Sequence, residues 1–313
     1  MKPDVLVLAP LAPRQMAQLE ALYTLHRHDL AGDKEAFLAA HGAACRAAVT
    51  HGATPLTGAM LAHLPNLRVA GCVTAGYEAV EVPALSARGV VLTNTSAVLA
   101  DDVADMAILL MGAARRDMMQ AHAYVVSGDW ARKGGYPLKA SNSGKRMGIV
   151  GMGLIGKAIV ARAETMNMEI RYFSRSAKPD VAHPFEPDLL ALAGWADVLM
   201  VIVAGGPSTR HMIDARVLAA LGPEGTLVNV ARGSVVDEAA LVAALKDGTI
   251  ANAGLDVFEA EPEANPELVA LPNVIVQPHH ASATVETRDA MAQNVVDNLA
   301  AFFAGRPLLT PVN

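Results

Sequence analysis

Short apolar runs and stretches of helical period alternate along almost the whole chain. Runs at 5–8, 47–50, 67–70 and 90–92 have strand character, and the segments 15–25, 57–62 and 82–87 between them place apolar residues on one helical face. This alternation predicts an α/β domain with a parallel sheet. A long helix is expected over 96–116, with Asp101, Asp102 and Asp105 towards its start and Arg115 and Arg116 at its end, the order the helix dipole favours. It reads as the connector between two domains. The next stretch, 127–143, has the composition of a loop yet carries Trp130 and Tyr136. Such rings need a surface to cover them, and packing on their own domain or on a partner subunit serves equally well. Strand-like and helix-like segments then resume at 147–150, 154–166, 170–173, 187–192, 198–203, 214–221, 226–229, 237–245, 253–255 and 274–276. A last long helix over 285–303 is expected to pack back on the first domain, which makes that domain discontinuous. No internal repeat of solenoid period is present.

Composition narrows the class of ligand. A chain of 313 residues suffices for two domains, each with its own core. Its 52% hydrophobic content comes mainly from Ala, Val and Leu, and no apolar run approaches the roughly 20 residues of a membrane span. The expectation is a soluble protein. The first apolar run is too short for the core of a signal peptide, so a cytoplasmic location is expected. Cys45 and Cys72 lie in or beside strand-like runs without metal-ligand spacing, and read as buried thiols. His26 and His28 form a pair with no third ligand in view, so no metal site is expected. The formal net charge of -6 and the lack of a basic run argue against nucleic acid. A small molecule remains.

The stretch 146–156 says what kind. An apolar strand-like run leads into Gly151, Gly153 and Gly156, spaced G-x-G-x-x-G, and a helical segment leads out. Gly151 allows the tight turn, Gly153 leaves room for a pyrophosphate, and Gly156 lets the helix pack closely, while the helix N-terminus offers free N–H groups to the anion. The spacing alone is weak evidence in a chain with 25 glycines. The strand before it and the strand at 170–173 after it supply the βαβ context that makes it a Rossmann fingerprint. The acidic residue that would hold the ribose 2′-hydroxyl of NAD is missing; Ser174, Arg175 and Ser176 stand there. Hydroxyls and a guanidinium suit a 2′-phosphate, which an Asp would repel, so NADP is expected over NAD.

Three polar residues fall at or just beyond strand ends of this second half: Arg232, Glu261 and His279. Each alone has a bland reading, as a surface Arg, one of several acids near a proline, or a His in a turn. Together they fit reduction of a 2-keto acid. An Arg can hold the carboxylate and polarise the ketone, and a His can protonate the developing alkoxide. A carboxylate beside that His would orient it and keep it charged. In the first half, the small-residue loop 71–77 directly follows a strand, where ligands sit in an open α/β sheet.

With these motifs in view, the chain resembles the D-isomer-specific 2-hydroxyacid dehydrogenase family over nearly its whole length. The glycine motif, Asn229 to Asp237 (NVARGSVVD), Leu255 to Pro262 (LDVFEAEP) and Pro278-His279 carry the resemblance. Asp101 to Ala107 and Phe173 to Ser176 look like the branch of glyoxylate/hydroxypyruvate and hydroxyphenylpyruvate reductases. The resemblance implies two doubly wound parallel-sheet domains: a flavodoxin-like substrate domain over 1–97 with 285–313, and a Rossmann cofactor domain over 98–284. It implies that Arg232 binds the substrate carboxylate and carbonyl, that Glu261 rather than Glu259 pairs with the imidazole, and that His279 is the acid in reduction. Thr74, Ala75 and Gly76 would form the substrate loop, chiefly through the N–H groups of Ala75 and Gly76. Cofactor contacts would fall on Gly151, Gly153, Leu154, Ile155, Gly156, Ser174, Arg175, Ser176, Val203, Pro207, Thr209, Val230, Ala231, Arg232, Asp256 and His279. The Trp130 loop would be a dimer contact, so a homodimer is expected. The expected activity is NADPH-dependent reduction of a small 2-keto acid of the glyoxylate/hydroxypyruvate type to the D-2-hydroxy acid, with larger aryl 2-keto acids as the alternative. A nucleotide-sensing regulator on the same fold is disfavoured because the Arg, Glu and His set is complete, and a formate-oxidising enzyme because that branch has Gln where Glu261 stands. The chain departs from the family pattern at Glu78, where Asp is common, at His280, and in the run 202–207.

Overall fold

The computed structural model describes residues 2–313, which separate into two compact units, 2–99 with Ala283–Asn313, and Ala100–Ser282. The first runs β1 (Asp4–Val7), α1 (Pro13–Leu22), β2 (Thr24–Arg27), α2 (Lys34–His41), β3 (Ala47–Thr50), α3 (Gly58–Ala62), β4 (Val69–Cys72), α4 (Val82–Ala87), β5 (Val91–Thr93) and the start of α5 (Ser96–Arg115). Its sheet is parallel, in the order β2-β1-β3-β4-β5 of flavodoxin-like folds. Alternating side chains feed two cores. Leu6, Ala48, Ala70 and Leu92 pack with Leu38, Leu61 and Leu85, whereas Val5, Val7, Val49 and Val69 pack with Leu19, Val295 and Leu299. The last two belong to α13 (Val285–Phe303), whose N-cap Thr284 accepts from the Thr287 N–H at 3.1 Å. Gly71 allows that helix to lie on β4, since a Cβ there would meet Val295 Cγ1 at 2.8 Å.

The second unit carries the rest of α5, then α6 (Met118–Val126), α7 (Asp129–Lys133), β6 (Arg146–Val150), α8 (Leu154–Thr165), β7 (Glu169–Phe173), α9 (Leu189–Trp195), β8 (Val198–Val201), α10 (Ala215–Leu221), β9 (Thr226–Asn229), α11 (Glu238–Lys246), β10 (Asn252–Leu255), α12 (Pro266–Val269) and β11 (Val274–Val276). All its strand pairs are parallel, in the order β11-β10-β9-β8-β6-β7. A single bridge from Tyr172 to Phe185 extends the sheet beyond β7. Strand order reverses between β6 and β8, the switch point where open α/β sheets bind ligands, and Gly151 lies directly beyond the end of β6 there.

Three local expectations are corrected. Residues 24 and 25, assigned to a continuing helix, begin β2; the chain turns extended at Tyr23 and forms a half-exposed edge strand whose polar content hid it. The helix α2 went unanticipated because its apolar face is little more than Phe37 and Leu38; Asp33 caps it, accepting from the Ala36 N–H at 3.0 Å. The stretch 127–143 is not all loop. It contains α7, which follows α6 through Gly128 at φ 76°, with Trp130 left 61% exposed.

Candidate active site

The glycine turn has the form of an anion cradle. Gly151 sits at φ 111°, and a Cβ on it would meet the Ile202 carbonyl oxygen at 2.6 Å. A Cβ at Gly156 would meet the Gly151 oxygen at 2.3 Å, so the helix approaches the turn as closely as backbone permits. A Cβ at Gly153 would meet nothing within 4 Å, and that glycine is the N-cap of α8, with no side chain accepting from the first-turn amides. Open space in front of uncapped N–H groups is what a pyrophosphate requires. Leu154 is exposed and Ile155 half-buried at the same turn. Beyond β7, Ser174 Oγ donates to the Ser176 carbonyl at 2.6 Å, while the Arg175 side chain is exposed. These residues suit a phosphorylated dinucleotide.

Four loops beyond the carboxyl ends of β8, β9, β10 and β11 form a connected belt. The β11 loop carries His279, held at φ 51°, a left-handed conformation uncommon for a side chain-bearing residue. Its N–H donates to the Asp256 carbonyl at 2.7 Å. The Asp256 carboxylate, 1% exposed, accepts from the N–H groups of His280 at 2.7 Å and Ala281 at 3.1 Å. Burial raises the pKa of Asp256, and those two hydrogen bonds oppose the rise. Both of its oxygens therefore anchor the His279 turn.

Glu261 Oε2 lies 2.7 Å from His279 Nδ1, and its Oε1 accepts from the Phe258 N–H at 2.9 Å. The His279 ring is thus fixed through one nitrogen, and among the described residues Nε2 has no intramolecular partner. Arg232 follows β9, with its backbone carbonyl accepting from Asn229 Nδ2 at 3.0 Å and its Nη1 donating to the Ala231 carbonyl at 2.7 Å. The neighbouring Gly233 explains how the Arg232 and Glu261 loops approach. A Cβ there would stand 1.8 Å from the Phe258 carbonyl carbon, so only glycine fits. The side chains of Val230 and Ala231 are buried at 6% and 3% exposure, and their N–H groups donate to the Val201 carbonyl at 3.2 Å and to Asn229 Oδ1 at 3.0 Å.

The β8 loop holds Val203, Pro207 and Thr209, with Thr209 Oγ1 donating to the Ala204 carbonyl at 2.8 Å. Arg210, His211 and Glu238, which no motif in the chain marks, meet Glu259 in this belt. Glu259 Oε1 lies 3.0 Å from Arg210 Nη2 and 2.5 Å from His211 Nε2, and the Glu259 N–H donates to Glu238 Oε1 at 2.5 Å. Glu238 is 8% exposed; burial first, then the charges of Glu259 and Glu261, raise its pKa. No local pattern marks these residues, because Arg210 and His211 lie 49 and 48 positions from Glu259.

In the first unit, Thr74 Oγ1 donates to the Gly76 carbonyl at 2.7 Å and accepts from the Gly52 N–H at 2.9 Å. Asn94 Nδ2 holds the Ala75 carbonyl at 2.9 Å. Thr74 therefore shapes the loop, while the N–H groups of Ala75 and Gly76 have no acceptor among the described residues. Cys72 beneath them is buried, which raises its thiol pKa against the opposing Thr74 hydrogen bond.

A hydrogen-bonded His and Glu, an Arg and a glycine turn of dinucleotide type lie on loops of one sheet edge, and the family model for "D-isomer specific 2-hydroxyacid dehydrogenase, NAD binding domain" matches residues 108–281. The chain belongs to this family. Relatives of the dehydrogenase extend beyond that domain. A 2-ketogluconate reductase of Gluconobacter oxydans is 44% identical over 311 residues, covering 99% of each chain. Glyoxylate/hydroxypyruvate reductase A of Arabidopsis thaliana is 41% identical over 98% of each. The solved structure of an NADPH-dependent glyoxylate/hydroxypyruvate reductase from Sinorhizobium meliloti, in complex with NADP and malonate, superposes with a TM-score of 0.86. It is 39% identical, with 100% of this chain and 97% of that one covered. Among the described residues, no helix of this dehydrogenase is long and apolar enough to cross a membrane.

Proposed function

We propose that the protein reduces a small 2-keto acid of the glyoxylate/hydroxypyruvate type to the D-2-hydroxy acid, with NADPH preferred over NADH. The observation that carries this reading is the His279–Glu261 pair, 2.7 Å apart through Nδ1, beside the loop of Arg232. The nicotinamide, when bound, supplies the hydride that reaches the carbonyl carbon. His279 Nε2 gives its proton to the carbonyl oxygen as charge develops there, and the ring is left neutral. Glu261 keeps the ring oriented through Nδ1. Arg232 holds the substrate carboxylate and draws charge from the carbonyl oxygen, a role that the planar guanidinium suits better than an ammonium. The N–H groups of Ala75 and Gly76 take the other carboxylate oxygen. Ser174, Arg175 and Ser176 receive the 2′-phosphate, and the amides at the start of α8 the pyrophosphate. The identities of the relatives, 2-ketogluconate reductase among them, support a hydrophilic 2-keto acid.

A second copy of the chain is the proposed partner. Val125, Val126 and Trp130 on α6 and α7 are 54%, 73% and 61% exposed, and Leu138 beyond them 99%. Apolar side chains gathered on consecutive elements in this way mark an interface. The activity is tested by mixing purified protein and NADPH with glyoxylate, hydroxypyruvate, 2-ketogluconate and hydroxyphenylpyruvate in turn. Loss of the nicotinamide absorbance with one of the hydrophilic acids is expected. Reduction of the aryl acid alone would replace the small-acid reading, and no reduction of any would remove the reductase reading.

A further inference from the structure

Outside the His279–Glu261 pair, the belt of loops holds a second cluster of charged side chains that the reaction described above does not use. Glu259 is its centre. One carboxylate oxygen, Oε1, takes both Arg210 Nη2 at 3.0 Å and His211 Nε2 at 2.5 Å. From the other side, the buried Glu238 fixes the Glu259 backbone by accepting its N–H at 2.5 Å. Isolated ion pairs at this degree of exposure contribute little to stability. Here, however, three contacts converge on one residue of a short loop, and they come from two other elements.

What those elements carry gives the cluster its meaning. Arg210 and His211 close the β8 loop, which holds Val203, Pro207 and Thr209. His211 is kept at φ 50°, with its N–H on the Ser234 carbonyl at 2.8 Å, so the loop end is secured by both backbone and side chain. Glu259 stands two residues before Glu261, and the Glu261 carboxylate is itself braced by the Phe258 N–H. Through that segment, the contact on His211 reaches the partner of the proton donor without passing through the sheet.

We propose that Glu259 is a positioning residue that couples the β8 loop, the cofactor side of the site, to the His279–Glu261 pair, so that a bound nicotinamide and the proton donor are held in register. The proposal rests on the reductase reading for the identity of the two sides. Glu259 touches neither substrate nor cofactor. It acts by fixing where Ala260 and Glu261 stand relative to residues 207–211. A displacement of about 1 Å between reacting groups costs on the order of 100-fold in rate, so a loosened tie is visible in turnover.

The test compares Glu259→Gln and His211→Asn with the unaltered protein. Asn tolerates the left-handed conformation that His211 occupies, so that variant retains the loop backbone. For both variants the expected result is a rise in KM for NADPH together with a fall in kcat at saturating NADPH, each about tenfold, while the thermal midpoint stays within a few degrees. The double variant should be no worse than the more impaired single one, because both substitutions break the same tie. A change confined to KM for NADPH would overturn the coupling and leave Glu259 as a brace for the cofactor loop alone. Additive losses, or losses that track a lowered midpoint, would overturn it in favour of a purely structural role. If the unaltered protein reduces no 2-keto acid, the reductase reading fails separately. The coupling is then read from isotope-labelled histidine: NADPH should shift the His279 ring resonance in the unaltered protein but not in Glu259→Gln, and an equal shift in both would overturn it.

Discussion

His279 holds an uncommon backbone conformation, and its surroundings explain why it keeps it. Its N–H is fixed on the Asp256 carbonyl, its Nδ1 on Glu261, and the two amides that follow it on the Asp256 carboxylate. Replacing the ring by His279→Gln should lower kcat by about 100- to 10,000-fold, the usual contribution of a general acid. NADPH affinity, read by fluorescence titration, should change little; retained turnover would move the proton donor elsewhere. Glu238 permits a prediction of the opposite kind. Its pKa is raised in the folded protein, so its contribution to stability is complete below the ordinary carboxylate value and is lost as pH rises through the raised one. Above the ordinary carboxylate range, then, ionisation of Glu238 weakens the fold. Glu238→Gln retains an oxygen for the Glu259 N–H and removes the charge, so it should raise the thermal midpoint at neutral pH. That gain should fade as the buffer approaches about pH 4. A midpoint that falls at every pH would show that the charge is required. At this scale the sequence revealed Arg232, Glu261 and His279 through the short motifs around them. Arg210, His211, Glu238 and Glu259 meet only through the fold, and no run of neighbouring residues announces them.

Elements were legible in proportion to their burial. The central strands β1, β3 and β4 are almost wholly apolar, because helices cover both faces of the sheet, and such runs stand out in the chain. The edge strand β2 is polar and half-exposed, and was hidden for that reason. The helices α6 and α7 were obscured differently. Their apolar residues face outward, and α6 has no buried residue at all. A helix without a buried residue and with Met118, Met119, Val125 and Val126 exposed supports the proposed second copy. Trp130→Asp together with Val126→Asp places charge in that surface and should convert a dimer to a monomer, as measured by size-exclusion chromatography with light scattering. An unaltered protein that elutes as a monomer would remove the proposal.

For the whole molecule, ligand binding should appear as stability. A cofactor at about 100 times its Kd adds about 2.7 kcal/mol to the folded state, and the thermal midpoint rises accordingly. At equal concentrations, NADPH should raise it more than NADH. Ser174→Asp combined with Arg175→Ala should reverse that order, since an aspartate repels the 2′-phosphate and suits a ribose hydroxyl; an unchanged order would sink the assignment of the 2′-phosphate site. By itself the sequence determined the α/β class, the dinucleotide turn, the missing acidic residue beyond β7 and the motifs that carry Arg232, Glu261 and His279. These depend on residues close in the chain, where period, glycine spacing and charge act locally. Only the tertiary structure decided the strand order, the approach of the Gly233 and Phe258 backbones, the burial of Asp256 behind the His279 turn and the convergence of Arg210, His211 and Glu238 on Glu259. Those depend on which loops a parallel sheet brings to one edge, and that is set by packing between segments remote in sequence.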